Sequence, residues 1–340
     1  MLNEAAYYNA LALASKGIYS TIKKFKDQHE TFEQAFTNHP RAREIDAQKE
    51  WQKLQDSHIS LCLASEENFP AQLKEIPWQP HALYYKGSLE KLEKSLAIVG
   101  TRKASRVGLH FATLAAKELS PALTIVSGLA LGLDTAAHEG ALKGGGKTVA
   151  VLAGGLDKVY PAQNSRLAEQ MLKNGGALIS EYPIGVRPRK NFFIERNRIV
   201  SGLSKATLVI ECPAKSGAKA TARFALEQNR DVLVVPGSIA DKNYEGSNLL
   251  IKEGATLIAS VSDLKEELGV EAVKQMQLFD KVEGEKALLL KALQEYPQGA
   301  QVQTLCESTG LSAQTVQSEL TELLLEEVVT EKSGKYLLII

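Results

Sequence analysis

Cysteine is scarce in this sequence, and long apolar runs are missing. Cys62, Cys212 and Cys306 are too few and too widely spaced for a disulfide framework or a paired zinc site. The longest apolar stretches, such as SLAIVG and VLVVPG, fall far short of the roughly 20 residues that cross a bilayer, and no basic and apolar leader follows Met1. We therefore expect a cytoplasmic protein with no membrane span, no disulfide and no metal.

A net charge is also missing, because 40 basic residues balance 40 acidic ones. A nucleic-acid partner would have to be held by a local basic patch rather than by the field of the whole protein. Hydrophobic residues make up 44% of the 340-residue chain, which is typical of a soluble globular protein. A chain of this length predicts two or three domains.

The N-terminal part of the sequence predicts a small helical domain over residues 1–60. Apolar residues recur there at helical spacing, as at Leu11, Ile18, Ile22 and Phe25, and Gly17 marks a turn between helices. The following stretch, rich in proline and aromatic residues and poor in periodicity, is interpreted as a connector over 61–95.

Between about Leu96 and Val261, short apolar runs alternate with helical segments. The runs are LAIVG, LTIVSG, TVAVLAGG, ALISE, TLVIE, DVLVVPG and TLIAS. Apolar runs without period-two alternation are typical of strands buried on both faces, and helical crossovers join such strands in parallel. The sequence therefore predicts an α/β domain over 61–270 with an extended, Rossmann-like, doubly wound and mostly parallel sheet.

The C-terminal part predicts a winged-helix-like domain over 283–340. A polar passage from Val261 to about Glu283 is interpreted as a helix and a linker. Three short helical segments and two apolar runs around Ser333 and Gly334 follow it. From Asp280 onward there are ten acidic residues and five lysines, and the expected recognition helix, Leu311 to Leu325, has neither lysine nor arginine. We expect this domain to contact protein rather than duplex DNA.

Most strands of the central domain end in a glycine or small-residue loop. Because the carboxyl ends of parallel strands share one edge, these loops and the helix N-termini after them form a candidate phosphate site. The dinucleotide fingerprint GxGxxG is absent after the first run, and GALKGGGKT precedes a strand, which does not fit a phosphate-binding P-loop. We therefore expect no cofactor. The loop residues of this candidate site are Gly100, Arg102, Ser127, Gly128, Ser216 and Gly217.

A strongly basic segment follows, from Arg187 to Arg223. It holds nine lysines and arginines against two acids, Glu195 and Glu211. Its neighbouring phenylalanines, Phe192 and Phe193, could stack bases while the cations take phosphates, although a phenylalanine pair in the core with charges on a solvated face is the alternative. In Arg196-Asn197-Arg198 an amide between two guanidinium groups suits phosphate recognition.

Catalysis and metal binding have weaker support. His138 lies four residues after Asp134 on a predicted helix, but a lone pair of this kind without a nucleophile more often makes a structural hydrogen bond. The competing enzyme hypothesis is a Rossmann-like nucleotide-processing enzyme, similar to the phosphoribohydrolases, in which Glu211 and Arg196 would act on an N-glycosidic bond.

These motifs, in this order, resemble the DNA-processing DprA (Smf) family. The resemblance spans about Ser95 to Ser260. It rests on IVGTRKAS, VSGLALGLDTAAHEGAL, GGKTVAVLAGGLDKVYPAQN, LISEYPIG, FFIERNRIVSGLS, ECPAKSGAKATARFALEQ, and VVPGS followed by GSNLLIKEGA. The helical start, similar to a sterile-alpha-motif domain, and the winged-helix-like end resemble the family by architecture only. Departures occur at Val107, where the family usually has tyrosine, and at Ala218 and Lys219 in the SGS loop.

The resemblance implies a homodimer that acts in natural transformation (competence). Such a protein binds and protects incoming single-stranded DNA and promotes RecA loading for homologous recombination, with no catalytic step. It implies that Arg102, Lys190 and Phe193 contact DNA, and that Arg196, Asn197 and Arg198 form a signature beside them.

Overall fold

A computed structural model describes residues 2–270, 284–296, 299–325 and 328–338. The chain forms two compact units, Met1–Leu264 and Lys265–Ile340. Across the described residues, no helix combines the length and the apolar character needed to span a membrane.

A nine-stranded sheet is the centre of the first unit. Its strand order is β1-β2-β6-β5-β4-β3-β7-β8-β9. The seven strands from β3 to β9 are parallel, whereas β1 and β2 add an antiparallel edge next to β6. The strands are β1 (Ser60–Leu63), β2 (Ala82–Gly87), β3 (Ser95–Val99), β4 (Thr124–Ser127), β5 (Thr148–Leu152), β6 (Ala177–Ser180), β7 (Ala206–Val209), β8 (Asp231–Val234) and β9 (Thr256–Leu257).

Helices precede the sheet in the chain and connect its strands. They are α1 (Glu4–Ala14), α2 (Tyr19–Asp27), α3 (Phe32–Asn38), α4 (Ala47–Asp56), α5 (Ala71–Lys74), α6 (Arg106–Leu119), α7 (Leu133–Lys143), α8 (Ser165–Lys173), α9 (Lys190–Gly202), α10 (Gly217–Glu227), α11 (Glu245–Lys252) and α12 (Val261–Glu267). The predicted doubly wound, mostly parallel α/β fold is thereby confirmed.

Both faces of the sheet are covered, as the uninterrupted apolar runs require. Along β5, Val149 and Val151 belong to one core cluster, and Ala150 and Leu152 belong to the other. Alternate residues of a strand point to opposite faces, so each face of β5 packs against its own apolar layer. The first cluster contains residues of α9 and α10, and the second contains residues of α1 and α8.

The N-terminal helices pack against the antiparallel edge of the same sheet. Tyr8 and Leu11 share a core cluster with Tyr84 of β2 and Leu178 of β6, and the Tyr84 hydroxyl donates to Asn9 Oδ1 over 3.0 Å. The stretch interpreted as a connector over 61–95 therefore holds most of β1 and all of β2. Sequence periodicity missed these strands because they lie among prolines and turns.

The second unit is a winged helix. Helices α13 (Glu285–Gln294), α14 (Val302–Thr309) and α15 (Ala313–Leu325) precede an antiparallel hairpin of β10 (Val329–Lys332) and β11 (Lys335–Leu338). Leu289, Leu305, Val316 and Leu320 form its buried core with Val329. This confirms the predicted winged-helix-like domain. The predicted linker falls on residues 271–283, which lie outside the described residues.

Candidate nucleic-acid interface

A cavity of about 290 Å³ opens at the carboxyl edge of the sheet, between the ends of β3, β4 and β7. Strands β4 to β6 extend from β3 in one direction, and β7 to β9 extend from it in the other. The β3–β7 boundary is thus the point where the strand order reverses, which is where open α/β sheets leave a crevice for ligands. Eight of the predicted residues line the cavity: Gly100, Arg102, Gly128, Phe193, Arg196, Asn197, Ser216 and Gly217.

The glycines of this edge have different reasons to be glycine. A Cβ on Gly100 would lie 2.1 Å from Leu133 Cδ1, and one on Gly128 would lie 2.4 Å from Arg196 Nη2. Both residues make room for neighbouring side chains of the protein. At Gly217, which is exposed, the nearest atom to an added Cβ is Asn197 Nδ2 at 3.7 Å, an ordinary contact distance that leaves room for a side chain. Gly217 is therefore the cavity glycine that a ligand can approach.

Helix α10 points its N-terminus at the cavity. Ser216 is its N-cap, and the Ser216 hydroxyl accepts from Lys219 N over 3.3 Å. The first N–H groups of a helix have no intrahelical acceptor, and the helix dipole places partial positive charge beside them. Gly217 and Ala218 are in this first turn, and the exposed Lys215 adds a full charge. The arrangement suits an anionic oxygen.

Arg196 and Asp134 form a buried charged floor beneath the cavity. The Arg196 guanidinium donates to the carbonyls of Gly128, over 2.8 Å, and of Val151, and its Nε donates to Asn197 Oδ1 over 3.2 Å. Burial lowers the pKa of Arg196 to about 10, with the nearby Arg102 adding to this shift and the charge of Asp134 opposing it. Arg196 stays protonated at neutral pH and keeps its positive charge at the floor.

Asp134 secures the loop between β4 and α7. Its Oδ2 accepts from Gly128 N over 3.1 Å and from Ala130 N over 3.2 Å. Burial raises the pKa of this carboxyl, and the charge of Arg196 and the two N–H donors oppose that shift. The Gly128 amide is thus already occupied, which leaves the α10 turn as the better source of free N–H donors.

The phenylalanine pair divides between core and cavity. Phe192 is 2% exposed and stacks on Tyr182 with ring centroids 4.3 Å apart, so it belongs to the core. Phe193 is partly exposed and lines the cavity, and the Arg102 Cζ lies 5.1 Å from its ring centroid. The interpretation that both rings serve stacking is therefore wrong for Phe192, whereas Phe193 is accessible.

Three predicted site residues do not line the cavity. Ser127 is fully buried and its Oγ donates to the carbonyl of Ile98 over 2.6 Å. Lys190 is exposed at the first residue of α9.

Arg198, the third of these residues, is 1% exposed and its Nη2 donates to both Glu181 oxygens, over 2.7 and 2.8 Å. Residues two apart on a helix point about 200° apart, so Arg196 and Arg198 face opposite sides of α9. The expectation that the Arg198 guanidinium takes part in phosphate recognition is therefore wrong, because this group is buried and paired with Glu181.

The candidate catalytic residues Glu211 and His138 make structural contacts, whereas Arg196, the other residue of the enzyme hypothesis, lines the cavity. Glu211 does not line the cavity; its carboxylate accepts from Ser105 N and Oγ at the start of α6, the latter over 2.5 Å, and from Asn243 Nδ2 over 2.9 Å. His138 is fully buried with its Nδ1 2.6 Å from Thr148 Oγ1, and burial lowers its pKa to about 3. The hypothesis of N-glycosidic cleavage thus loses its carboxylate.

Sequence reasoning left out several cavity residues. Lys215 belongs to the basic segment, but the sequence does not assign it to the site, and it marks Asp134 only as a partner of His138. An acidic residue in the first turn of a helix after a glycine loop was the available signal for Asp134. Thr101, Ile194, Val200, Pro213 and Thr221 also line the cavity. They lie within the motifs of the family resemblance, but the sequence does not single them out as site residues.

Comparison with known proteins gives consistent similarities. Residues 60–269 match the family described as DNA recombination-mediator protein A, and residues 279–335 match the DprA winged helix domain. The chain is 41% identical to protein Smf of Escherichia coli over 237 residues, 69% of this chain and 63% of that protein. It is 42% identical to DNA processing protein DprA of Streptococcus pneumoniae over 217 residues, 64% of this chain and 75% of that protein. The chain thus spans less than two thirds of the Escherichia coli protein.

Two solved structures are similar to this one. The X-ray structure of DNA processing protein A from Streptococcus pneumoniae aligns with a TM-score of 0.63 and 35% identity, covering 78% of this chain and 93% of that one. DNA processing protein A from Helicobacter pylori, described for its unique single-stranded DNA binding mode, aligns with a TM-score of 0.57 and 29% identity, covering 63% of this chain and 96% of that one.

Proposed function

This chain belongs to the DNA recombination-mediator protein A family, and from that premise we propose that it binds single-stranded DNA through the phosphate backbone. One observation carries the proposal. The N-terminus of α10, the cations Arg102, Lys215 and Arg196, and the accessible ring of Phe193 converge on one cavity at the strand-order reversal. Amides and cations suit phosphates, and an aromatic ring suits an unpaired base.

The chemistry of the cavity favours a single strand over a duplex. A base can stack on Phe193 only when it is released from its own stack, which a single strand allows at little cost. The cavity residues do not form a pattern of side chains that would recognise particular bases, so we expect binding to be independent of DNA sequence. Because the contacts are mainly to phosphates, we expect affinity to fall as salt rises. We assign Gly217 and Ser216 to the phosphate, Arg102 and Lys190 to neighbouring phosphates, and Gly100, Gly128, Arg196 and Asn197 to the shape of the cavity.

The wider role that we propose is that of a mediator without a catalytic step. In this role the protein protects incoming single-stranded DNA during natural transformation and promotes RecA loading, and the description of the matching family as a recombination mediator supports this. We also propose that the protein acts as a homodimer. The division into domains at residues 60 and 283 remains part of this proposal.

Fluorescence anisotropy with matched oligonucleotides tests the proposal. The protein is titrated against a labelled single-stranded DNA, the same sequence as duplex and the same sequence as RNA, at two salt concentrations. We expect the single-stranded DNA to bind tightest, with affinity falling as salt rises. Equal affinity for duplex, or release of free base from nucleoside monophosphates, would contradict the proposal.

A further inference from the structure

Tyr160 is an exposed aromatic residue that the cavity does not include. It lies in the loop between β5 and α8, and 52% of its surface is accessible. Its neighbour Val159 packs against the hydrophobic core beneath the loop, whereas Tyr160 belongs to neither of the two core clusters. Val159 therefore anchors the loop to the core, and the Tyr160 ring is not required for that packing.

The Tyr160 ring contacts Phe193. The two ring centroids lie 5.7 Å apart with an interplanar angle of 55°. The Arg102 guanidinium carbon lies 5.1 Å from the centroid of the same Phe193 ring. Side chains from the β3–α6 loop, the β5–α8 loop and helix α9 thus meet at one point on the rim of the cavity. The contact between the two rings leaves no room for a base between them, so each ring can offer only its remaining surface.

The Tyr160 loop is tied to the basic segment before α9. Gly155 N donates to the carbonyl of Val186 over 2.9 Å, and Gly185 N donates to Asp157 Oδ1 over 3.0 Å. The exposed cations Arg187, Arg189 and Lys190 follow directly in the chain. Tyr160 therefore belongs to a surface that leads from Phe193 toward cations outside the cavity.

We propose that Tyr160 is a second stacking surface for a nucleobase, taking the base next to the one on Phe193 as the strand leaves the cavity toward Arg187, Arg189 and Lys190. The inference rests on the proposed function, because it assumes that the cavity binds a single strand. It also gives Lys190 a place on the strand's path although this residue does not line the cavity. Stacking on a ring is tolerant of sequence, so the second position selects for an unpaired base and not for its identity.

Substitution of Tyr160 combined with a base-free ligand tests this assignment. Affinity is measured by fluorescence anisotropy for a thymidine oligomer and for an oligomer of equal length that carries abasic sugars. Tyr160→Ala is expected to bind the thymidine oligomer about 5- to 150-fold more weakly, with the salt dependence unchanged. Tyr160→Phe should recover most of this affinity because it restores the ring. On the abasic oligomer, Tyr160→Ala and the wild type should bind equally.

Two controls separate this inference from the proposed function. Leu226→Ala removes another exposed apolar side chain, 56% accessible near the far end of α10, and should leave affinity unchanged. Arg102→Ala should weaken binding to both oligomers. If Arg102→Ala weakens binding and Tyr160→Ala does not, the second stacking surface is refuted and the binding function stands. If the wild type binds neither oligomer, the proposed function itself is refuted.

Discussion

Replacing Arg102 by alanine is expected to weaken single-strand binding and to make it less sensitive to salt. Arg102 is exposed, lines the cavity and lies against the Phe193 ring without any carboxylate partner among the described residues. A cation in this position is free to pair with a phosphate. Each phosphate neutralised on a single strand contributes about 0.7 to the slope of log affinity against log salt.

The size of the effect follows from that slope. When salt is raised from roughly 50 to 200 mM, each phosphate contact lowers the binding affinity by a factor of about 2.6. The ratio of wild-type to Arg102→Ala affinity should therefore shrink about 2.6-fold over this range. Arg102→Lys should keep the salt slope, since it retains the charge, while losing the planar contact with Phe193.

Lys103 offers a matched control for this measurement. It is the next residue, is exposed and carries the same charge, but it does not line the cavity. Anisotropy titrations at four or more salt concentrations would give the slopes. If Arg102→Ala and Lys103→Ala both keep the wild-type slope, the cavity does not hold a phosphate at Arg102. If both lower it equally, binding depends on diffuse charge and the cavity assignment fails.

Three further predictions concern the supporting structure. Arg198→Ala should lower the free energy of unfolding by about 3 to 5 kcal/mol in urea denaturation, because it leaves Glu181 buried without its partner. The folded variant should keep its single-strand affinity. A loss of affinity without a loss of stability would show that Arg198 belongs to the binding site. Deleting residues 283–340 should leave single-strand affinity nearly unchanged in anisotropy titrations, because α15 presents no lysine or arginine; a large loss would show that the winged helix holds DNA. Burial lowers the pKa of His81 to about 4. Between about pH 6.5 and 4 the unfolded chain therefore binds a proton at His81 that the folded protein does not bind. The free energy of unfolding should fall by up to roughly 3 kcal/mol as pH falls through this window. His81→Gln should flatten that decline in urea titrations, and an unaltered decline would place its cause elsewhere.

Helix α9 shows how one element can serve the site and the core together. Phe193, Arg196 and Asn197 line the cavity, while Arg198 pairs with Glu181 and its guanidinium carbon lies 5.4 Å from the Tyr19 ring centroid and 5.0 Å from that of Trp78. The N-terminal helices thus contact the same helix that lines the cavity. The arginine that resembles a second phosphate ligand in the sequence instead joins α2 to the sheet domain.

Much of the fold follows from the sequence alone, because burial on both faces of a parallel sheet leaves a direct record in the chain. Seven uninterrupted apolar runs became β3 to β9 in order, and the glycine loops after them met at one edge, as parallel strands require. The local excess of cations between Arg187 and Arg223 also indicated which part of the chain could attract an anionic ligand. By contrast, the antiparallel edge strands β1 and β2 were not predicted, since their apolar residues lie in a stretch rich in prolines and turns.

The sequence by itself therefore determined the seven parallel strands, the sheet edge at which their glycine loops meet, and the positive charge near that edge. Only the tertiary structure decided which of the neighbouring residues reach the cavity, as with Phe193 against Phe192 and Arg196 against Arg198. Adjacent positions on a helix face different directions, and what lies in each direction depends on elements far away in the chain, such as Glu181 or Tyr182. Residue type and spacing indicate the chemistry of a binding site, but the burial of each side chain decides whether that residue can take part in it.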